Sequence, residues 1–328
     1  MKVLITDNTH PILQQRIESA GFKCDIITDC SYDALLTQIK DYDALVVRSK
    51  IIIDRHFIDH ARHLKCIGRL GAGMETIDVD YAEQCGIRCL NSPEGNRDAV
   101  GEHTTSLLLA LFNKITLADA EVHQGLWHRE ANRGLEVKGR TVGIIGFGNM
   151  GAAFAQRLQG FECRIMAYDK YKPSGWAPHY VKECTLQNLQ QEADILSLHV
   201  PLTLETKYMV NSNFINAFDH PFYLLNTSRG AVVQTSNLAE AMQEGKVLGV
   251  GLDVIEYEDM TRDGLDINTL PSDFRYLLDS KNAVFTPHVA GWTVESRYKL
   301  AAFLADKIIR VLQNHSSPAQ SQHKTTPF

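Results

Sequence analysis

Short apolar runs rich in β-branched residues recur along this chain, each followed by a stretch of helical period, and that alternation leaves few folds open. The first half reads "KVLIT", "CDIIT", "ALVVRS", "CIGRLG" and "IRCLNS", with amphipathic segments between them. Strands separated by helices cannot close as hairpins, so they pair in parallel and the helices cover the sheet faces. A longer helical run, roughly 98–118 and including "HTTSLLLALFNKI", leads away from this series. A second series starts at "TVGIIGFGNMG" and continues through "RIMAYD", "ILSLHV", "FYLLNTS", "VLGVGLDV" and "AVFTP". Two such series in 328 residues predict an α/β protein with parallel sheets in two domains. The run "VESRYKLAAFLADKIIRVLQ" is long enough to pack back on the first half, and the polar tail "NHSSPAQSQHKTTPF" is expected to be loose.

Charge and composition narrow the function classes. The net charge of −6 is spread along the chain, which argues against a nucleic-acid partner or an anionic membrane surface. No apolar run approaches the length that spans a bilayer, and "MKVLITDN" reads as a strand rather than a targeting segment. The seven cysteines (Cys24, Cys30, Cys66, Cys85, Cys89, Cys163, Cys184) are scattered, several inside apolar runs as small buried hydrophobes. Cys85 and Cys89 flank "GIR", but two thiols with no His or further Cys nearby make a poor zinc site, and no metal is expected. All seven are read as reduced, in a cytoplasmic enzyme.

The second series opens on Gly146, Gly148 and Gly151, in G-x-G-x-x-G spacing between an apolar strand and a helix. The first glycine permits the tight turn, the second lets backbone approach a pyrophosphate, and the third allows close helix-on-strand packing. The next strand, "RIMAYD", ends in Asp169, at the distance expected for a carboxylate that accepts from ribose hydroxyls. Such a carboxylate repels a 2′-phosphate, so NAD is favoured over NADP. Lys170 and Lys172 weaken that choice, and a helix cap or turn role is the alternative for Asp169.

Other strand ends carry reactive groups. In "FTPHVAGWT" a proline stops the strand and places His288 at its tip, where open α/β sheets bind ligands. A core histidine bonded to backbone is the ordinary alternative. "FYLLNTSRG" ends in Arg229, and "VLGVGLDVIEYED" ends at Asp253 with Glu258 a few residues on. Together these residues suit redox chemistry at a carbon bearing oxygen. A guanidinium grips a substrate carboxylate and polarises the adjacent carbonyl. An imidazole gives or takes the proton as hydride moves, and a carboxylate beside it orients the ring and favours its protonated form.

The ordered set "VVRSK", "GRLGAGMETID", "NSPEGNRDAVGEH", "GRTVGIIGFGNMG", "LHVPLTLET", "LLNTSRGAVV", "GVGLDV" with "EYED", and "FTPHVAGWT" resembles the D-isomer-specific 2-hydroxyacid dehydrogenase family nearly end to end. The resemblance implies a catalytic trio of Arg229, Glu258 and His288. It implies that the backbone around Leu70, Gly71, Ala72 and Gly73 cradles the substrate carboxylate, and that Asn96 positions the loop entering the first interdomain helix. On the cofactor side it points to Gly146, Gly148, Asn149, Met150, Gly151, Asp169, His199, Pro201, Thr206, Thr227, Asp253 and Gly291. Asp253 would hold the nicotinamide carboxamide and Thr206 would lie near the phosphates or ribose. The chain departs from the family in Val232-Val233-Gln234, where relatives continue "RGxxVD", and in Asp259, where they carry proline. Glu256 competes for the acidic role. Glu258 is preferred because its offset from Asp253 matches the family pattern.

By the same resemblance, residues 1–97 with 293–328 form a flavodoxin-like substrate-binding domain. Residues 98–292 form a Rossmann NAD-binding domain, the active site lies in the cleft between the two, and the protein is a homodimer. Arg48, Lys50 and Arg69 stand at strand ends of the first half and could bind a phosphate at the far end of the substrate. Solvated loop charges, or support for the carboxylate alone, are the alternatives. With that phosphate reading, the overall resemblance implies 3-phospho-D-glycerate and 3-phosphohydroxypyruvate as the substrate pair. Glyoxylate, hydroxypyruvate, D-lactate and erythronate 4-phosphate chemistries stay open, as does an NAD-sensing corepressor without useful turnover. No separate regulatory module follows the core, so feedback control by one is not expected. The segment "DMTRDGLDINTLPSDFRYLLDS" is longer and more acidic than a connector requires and has no assigned role.

Overall fold

In the computed structural model, which describes residues 1–29, 31–258 and 269–316, the chain divides into two units. One comprises Met1–Asn96 with the segment from Val294 onward, and the other Arg97–Thr293. The first unit carries β1 (Lys2–Ile5), β2 (Lys23–Ile26), β3 (Ala44–Val47), β4 (Cys66–Arg69) and β5 (Arg88–Leu90). They form a parallel sheet in the order β2-β1-β3-β4-β5. Every residue of β3 and β4 is buried, which is why β3 reads as continuously apolar and β4 is broken only by Arg69 at its end. The order reverses between β1 and β3, and Asp7 and Arg48 follow those two strands at the switch point. The helix Val294–Ser316 covers this sheet: Leu304, Ile308 and Leu312 are buried against Val3, Ile5 and Cys66.

The second unit holds β6 (Thr141–Ile145), β7 (Arg164–Tyr168), β8 (Lys182–Glu183), β9 (Ile195–Leu198), β10 (Phe222–Asn226), β11 (Val247–Leu252) and β12 (Ala283–Phe285). All pair in parallel, in the order β12-β11-β10-β9-β6-β7-β8, the doubly wound Rossmann arrangement. Leu198, Asn226, Leu252 and Phe285 are register partners in turn, so the last residues of β9 to β12 end level at one edge. Side chains just beyond those ends are thereby brought side by side.

The expected helical run over 98–118 is two helices, Arg97–Phe112 and Ile115–His123. Lys114 between them has φ 51°, a left-handed conformation that breaks the helical ladder. The Leu135 amide donates to the Phe112 carbonyl at 2.9 Å, so the returning loop takes over a bond the helix gives up. The short strand β8 had no counterpart in the pattern of apolar runs, because it is two polar residues at the sheet edge. The six described cysteines are free thiols, while Cys30 and the tail from residue 317 lie outside the described residues. The acidic segment after Glu258 is described only from residue 269, where it supplies the helix Ser272–Asp279. No described helix is long and apolar enough to cross a membrane.

Candidate active site

The glycine turn lies between β6 and the helix Asn149–Leu158. Gly146 has φ 87°, and a Cβ there would fall 2.5 Å from the His199 carbonyl oxygen. A Cβ on Gly151 would fall 2.1 Å from the Gly146 carbonyl oxygen, so only glycine lets this helix start so close to its strand. Gly148 differs: a Cβ there would meet nothing within 4 Å. The chain itself gives no packing reason for that glycine, and the space is what a pyrophosphate needs. No side chain caps the helix behind it, whereas Ser31, Asp54, Asp78, Thr185 and Asn211 each cap theirs. The first-turn amides of Asn149, Met150 and Gly151 are thus placed to take an anion. These features fit a dinucleotide.

Asp169 follows β7 and is held by the turn it faces: Oδ2 accepts from the Phe147 amide at 2.8 Å and Oδ1 from the Tyr171 amide at 3.0 Å. Its expected rivals for cofactor charge are engaged elsewhere. Lys170 pairs with Glu205, and the Lys172 ammonium lies 5.4 Å from the Phe147 ring and 5.2 Å from that of Trp176. Beyond β9, Thr206 donates to the Pro201 carbonyl at 2.6 Å and accepts from the Thr203 amide at 2.8 Å, closing the 201–206 turn. The His199 ring bonds Ser197 through Nε2 at 2.9 Å, and its buried Nδ1 has no partner among the described residues. Burial pushes this imidazole down to about 3, so it is neutral at working pH.

The reactive groups stand on the neighbouring ends. After β10, Asn226 braces the turn by accepting from the Ser228 amide (3.0 Å) and hydroxyl (2.7 Å) and donating to the Arg229 carbonyl (3.0 Å). Thr227 meets Thr104 at 3.0 Å. Because the Thr104 hydroxyl donates to the Val100 carbonyl at 2.7 Å, Thr227 is the donor in that pair. The Arg229 guanidinium donates to the Ser228 carbonyl at 2.6 Å. A Cβ on Gly230 would fall 1.8 Å from the Ile255 carbonyl oxygen, so the Arg229 turn rests directly on the backbone leading to Glu258.

Of the two acids on that backbone, Glu256 accepts from the Tyr208 hydroxyl at 2.7 Å and the Thr235 amide at 2.9 Å. Glu258 instead bonds Nδ1 of His288. Sequence reasoning chose between them by offset alone, and the hydrogen bonds now distinguish them. The Nε2 of His288 has no partner among the described residues, which leaves it available to a bound molecule. Asp253, expected at the nicotinamide, is 1% exposed and already accepts from the Thr286 hydroxyl and the Val289 and Ala290 amides, at 2.6, 2.9 and 2.9 Å. Burial opposes its charge, but those donors and His103 outweigh it and hold the carboxyl below its usual range. Gly291 lies in the turn closed by the Trp292 amide on the Val289 carbonyl at 2.8 Å. The bracing roles of Asn226 and Thr104 were missed; an Asn two residues before a serine in "NTSRG" is the one sequence signal for the former.

The candidate substrate residues belong to the first unit. Gly71 has φ 145°, its carbonyl accepts from the Ser92 amide at 2.9 Å, and that of Ala72 from Asn91 Nδ2 at 2.7 Å. Leu70 donates its amide to the Val47 carbonyl at 3.0 Å, and Gly73 comes just after the bend. A Cβ on Gly71 would fall 1.8 Å from Nη1 of Arg69, so this buried guanidinium lies against the bend. The Arg48 amide donates to Asp7 Oδ2 at 2.9 Å; Lys50 is exposed and pairs with no carboxylate among the described residues. Asn96 buries Oδ1 with no partner among the described residues. No cluster of three metal-ligating side chains occurs among the described residues.

Residues 105–290 match the family model for the D-isomer specific 2-hydroxyacid dehydrogenase, NAD binding domain. The D-3-phosphoglycerate dehydrogenase of Archaeoglobus fulgidus is 33% identical over 95% of this chain. The chain spans 57% of that relative's length. The hydroxypyruvate reductase of Thermotoga maritima is 36% identical over 85% of this chain and 88% of its own. The solved D-lactate dehydrogenase of Aquifex aeolicus, complexed with NAD and lactic acid, superposes with a TM-score of 0.80 at 25% identity, covering 96% of this chain and 95% of that one.

Proposed function

Because this chain belongs to the D-isomer specific 2-hydroxyacid dehydrogenase family, we propose that it interconverts a D-2-hydroxy acid and its 2-keto acid through Arg229, Glu258 and His288. The observation that carries the reading is the His288–Glu258 pair, formed by the loops that follow the level ends of β12 and β11. NAD, when bound, supplies or accepts the hydride. Held by the glycine turn and the amides of Asn149 and Met150, with Asp169 toward its ribose, the dinucleotide would lie along this sheet edge. His288 gives its Nε2 proton to the carbonyl oxygen during reduction and takes it back during oxidation, while Glu258 holds Nδ1 and aims the ring. Arg229 pairs with the substrate carboxylate and polarises the neighbouring carbonyl. Residues 1–97 with 293–328 would bind the substrate through the Leu70–Gly73 segment.

For the substrate we favour 3-phospho-D-glycerate and 3-phosphohydroxypyruvate. Support comes from the cations at the ends of β3 and β4: Arg48, Lys50 and Arg69. Burial lowers the Arg48 pKa, Asp7 beside it opposes the shift, and Arg297 adds to it, as expected where cations crowd one carboxylate. The relatives' names span phosphoglycerate, hydroxypyruvate and lactate chemistry, so a test must discriminate among them. NADH oxidation with a panel of 2-keto acids does so. Highest kcat/KM with 3-phosphohydroxypyruvate is expected, a preference for glyoxylate, hydroxypyruvate or pyruvate would reassign the substrate, and cofactor binding without turnover on any of them would mark a sensor. A homodimer through the second unit is also proposed. Its support is the helix Ile115–His123, none of whose residues is buried.

A further inference from the structure

His288 adopts φ 54°, a left-handed backbone that a residue with a side chain avoids. Such a conformation lasts only where its surroundings over-determine it, and Asp253 provides that constraint. The His288 amide donates to the Asp253 carbonyl at 2.8 Å, and the next two amides, of Val289 and Ala290, donate to its carboxylate at 2.9 Å each. A carboxylate 1% exposed needs further donors to stay charged, and one is Thr286, whose hydroxyl lies 2.6 Å from Oδ1. A hydroxyl has one proton. With that proton on the carboxylate, Thr286 can only accept from Nε2 of His103, 2.9 Å from its oxygen. The same Nε2 lies 3.4 Å from Asp253 Oδ1. His103 is therefore a donor at Nε2, and that nitrogen is engaged within the protein.

We propose that His103 is a positioning residue for His288, acting through Thr286 and Asp253 to fix the loop that aims the His288 ring. The proposal rests on the reading of His288 as the proton-transfer group. The helix Arg97–Phe112 then steadies two strand ends at once, since His103 braces the loop after β12 and the adjacent Thr104 braces that after β10.

The test is a double-mutant cycle on the full chain, with 2-keto acid reduction by NADH as the readout. His103→Leu should lower kcat about tenfold to a hundredfold, as expected when a reacting group loses its aim, with NADH affinity changing far less. His103→Gln, which can still donate to Thr286, should recover most of the loss. In the His288→Asn background, where no proton is left to aim, His103→Leu should alter the residual rate less than about twofold. Equal losses in both backgrounds, a wild-type kcat for His103→Leu, or no recovery with Gln would overturn the proposal. If His103→Leu does not fold, Thr286→Val breaks the same chain and is held to the same outcomes. Wild-type turnover of His288→Asn by itself would remove the proton-transfer reading instead, which is a separate failure.

Discussion

An imidazole can carry a proton at neutral pH and an amide of similar shape cannot. His288→Asn should therefore lower kcat by about a hundredfold to ten-thousandfold, the range of a positioned acid/base group, and leave NADH affinity nearly intact. Glu258→Gln should lose less. The Gln amide can still hold the His288 ring at Nδ1, so this loss is the smaller of the two. Steady-state reduction rates check both, and a wild-type kcat in each variant would dismiss the pair as the acid/base unit. Arg229→Lys keeps the charge but loses the planar fork, so KM and kcat should both worsen. Asp169→Ala should narrow the preference for NADH over NADPH, since it removes the group that repels a 2′-phosphate. Comparable kcat/KM for the two cofactors in the wild type would contradict that role.

Elements set what these residues can do, and their stability is separately testable. Leu304 on the helix Val294–Ser316 is fully buried against the first sheet. Leu304→Ala should cost about 2–5 kcal/mol in denaturant unfolding, and a loss below about 1 kcal/mol would mean the helix is not part of that core. His199, after β9, is held neutral with its imidazole near 3 against an ordinary value of 6.5. The unfolded chain then takes up the proton first, so stability falls as pH drops from 6.5 toward 3. His199→Gln should make that fall in the unfolding temperature shallower, and an equally steep fall would rule out His199 as its source. That neutrality was not legible in the sequence, because it depends on what folding packs against the ring, including Phe154 with ring centroids 5.6 Å apart. The strands themselves were legible: fully buried parallel strands are apolar on both faces, as in "ALVV", and the one polar residue of "ILSL", Ser197, is bonded to His199. The break at Lys114 was not, since "LFNKITLA" has no glycine or proline and the helix is interrupted where the loop at Leu135 bonds its end. The pairing of Glu258 was half legible. Its offset from Asp253 could be counted, but the capture of Glu256 by Tyr208 and Thr235 depends on folding.

At the scale of the whole molecule, the second unit exposes a run of large apolar side chains that the proposed dimer would cover. The helix Ile115–His123 buries none of its residues, and Ile115, Val122, Leu126, Trp127 and Leu135 are all among the exposed large hydrophobic residues. Scattered exposed apolar side chains need no explanation, but five within one short stretch of sequence do. Trp127 is 76% exposed, and covering such a ring contributes on the order of 1.5–3 kcal/mol. A second copy of the same chain would present the same apolar residues in return, which a two-fold interface requires. Trp127→Glu would then place a charge in that interface on both copies at once. The wild type should sediment as two chains of 36.8 kDa, and the variant should dissociate at concentrations at least about tenfold higher, with its thermal unfolding otherwise retained. A wild type that sediments as a single chain at micromolar concentration, or a Trp127→Glu variant that stays fully dimeric there, would show that this surface serves something other than self-association.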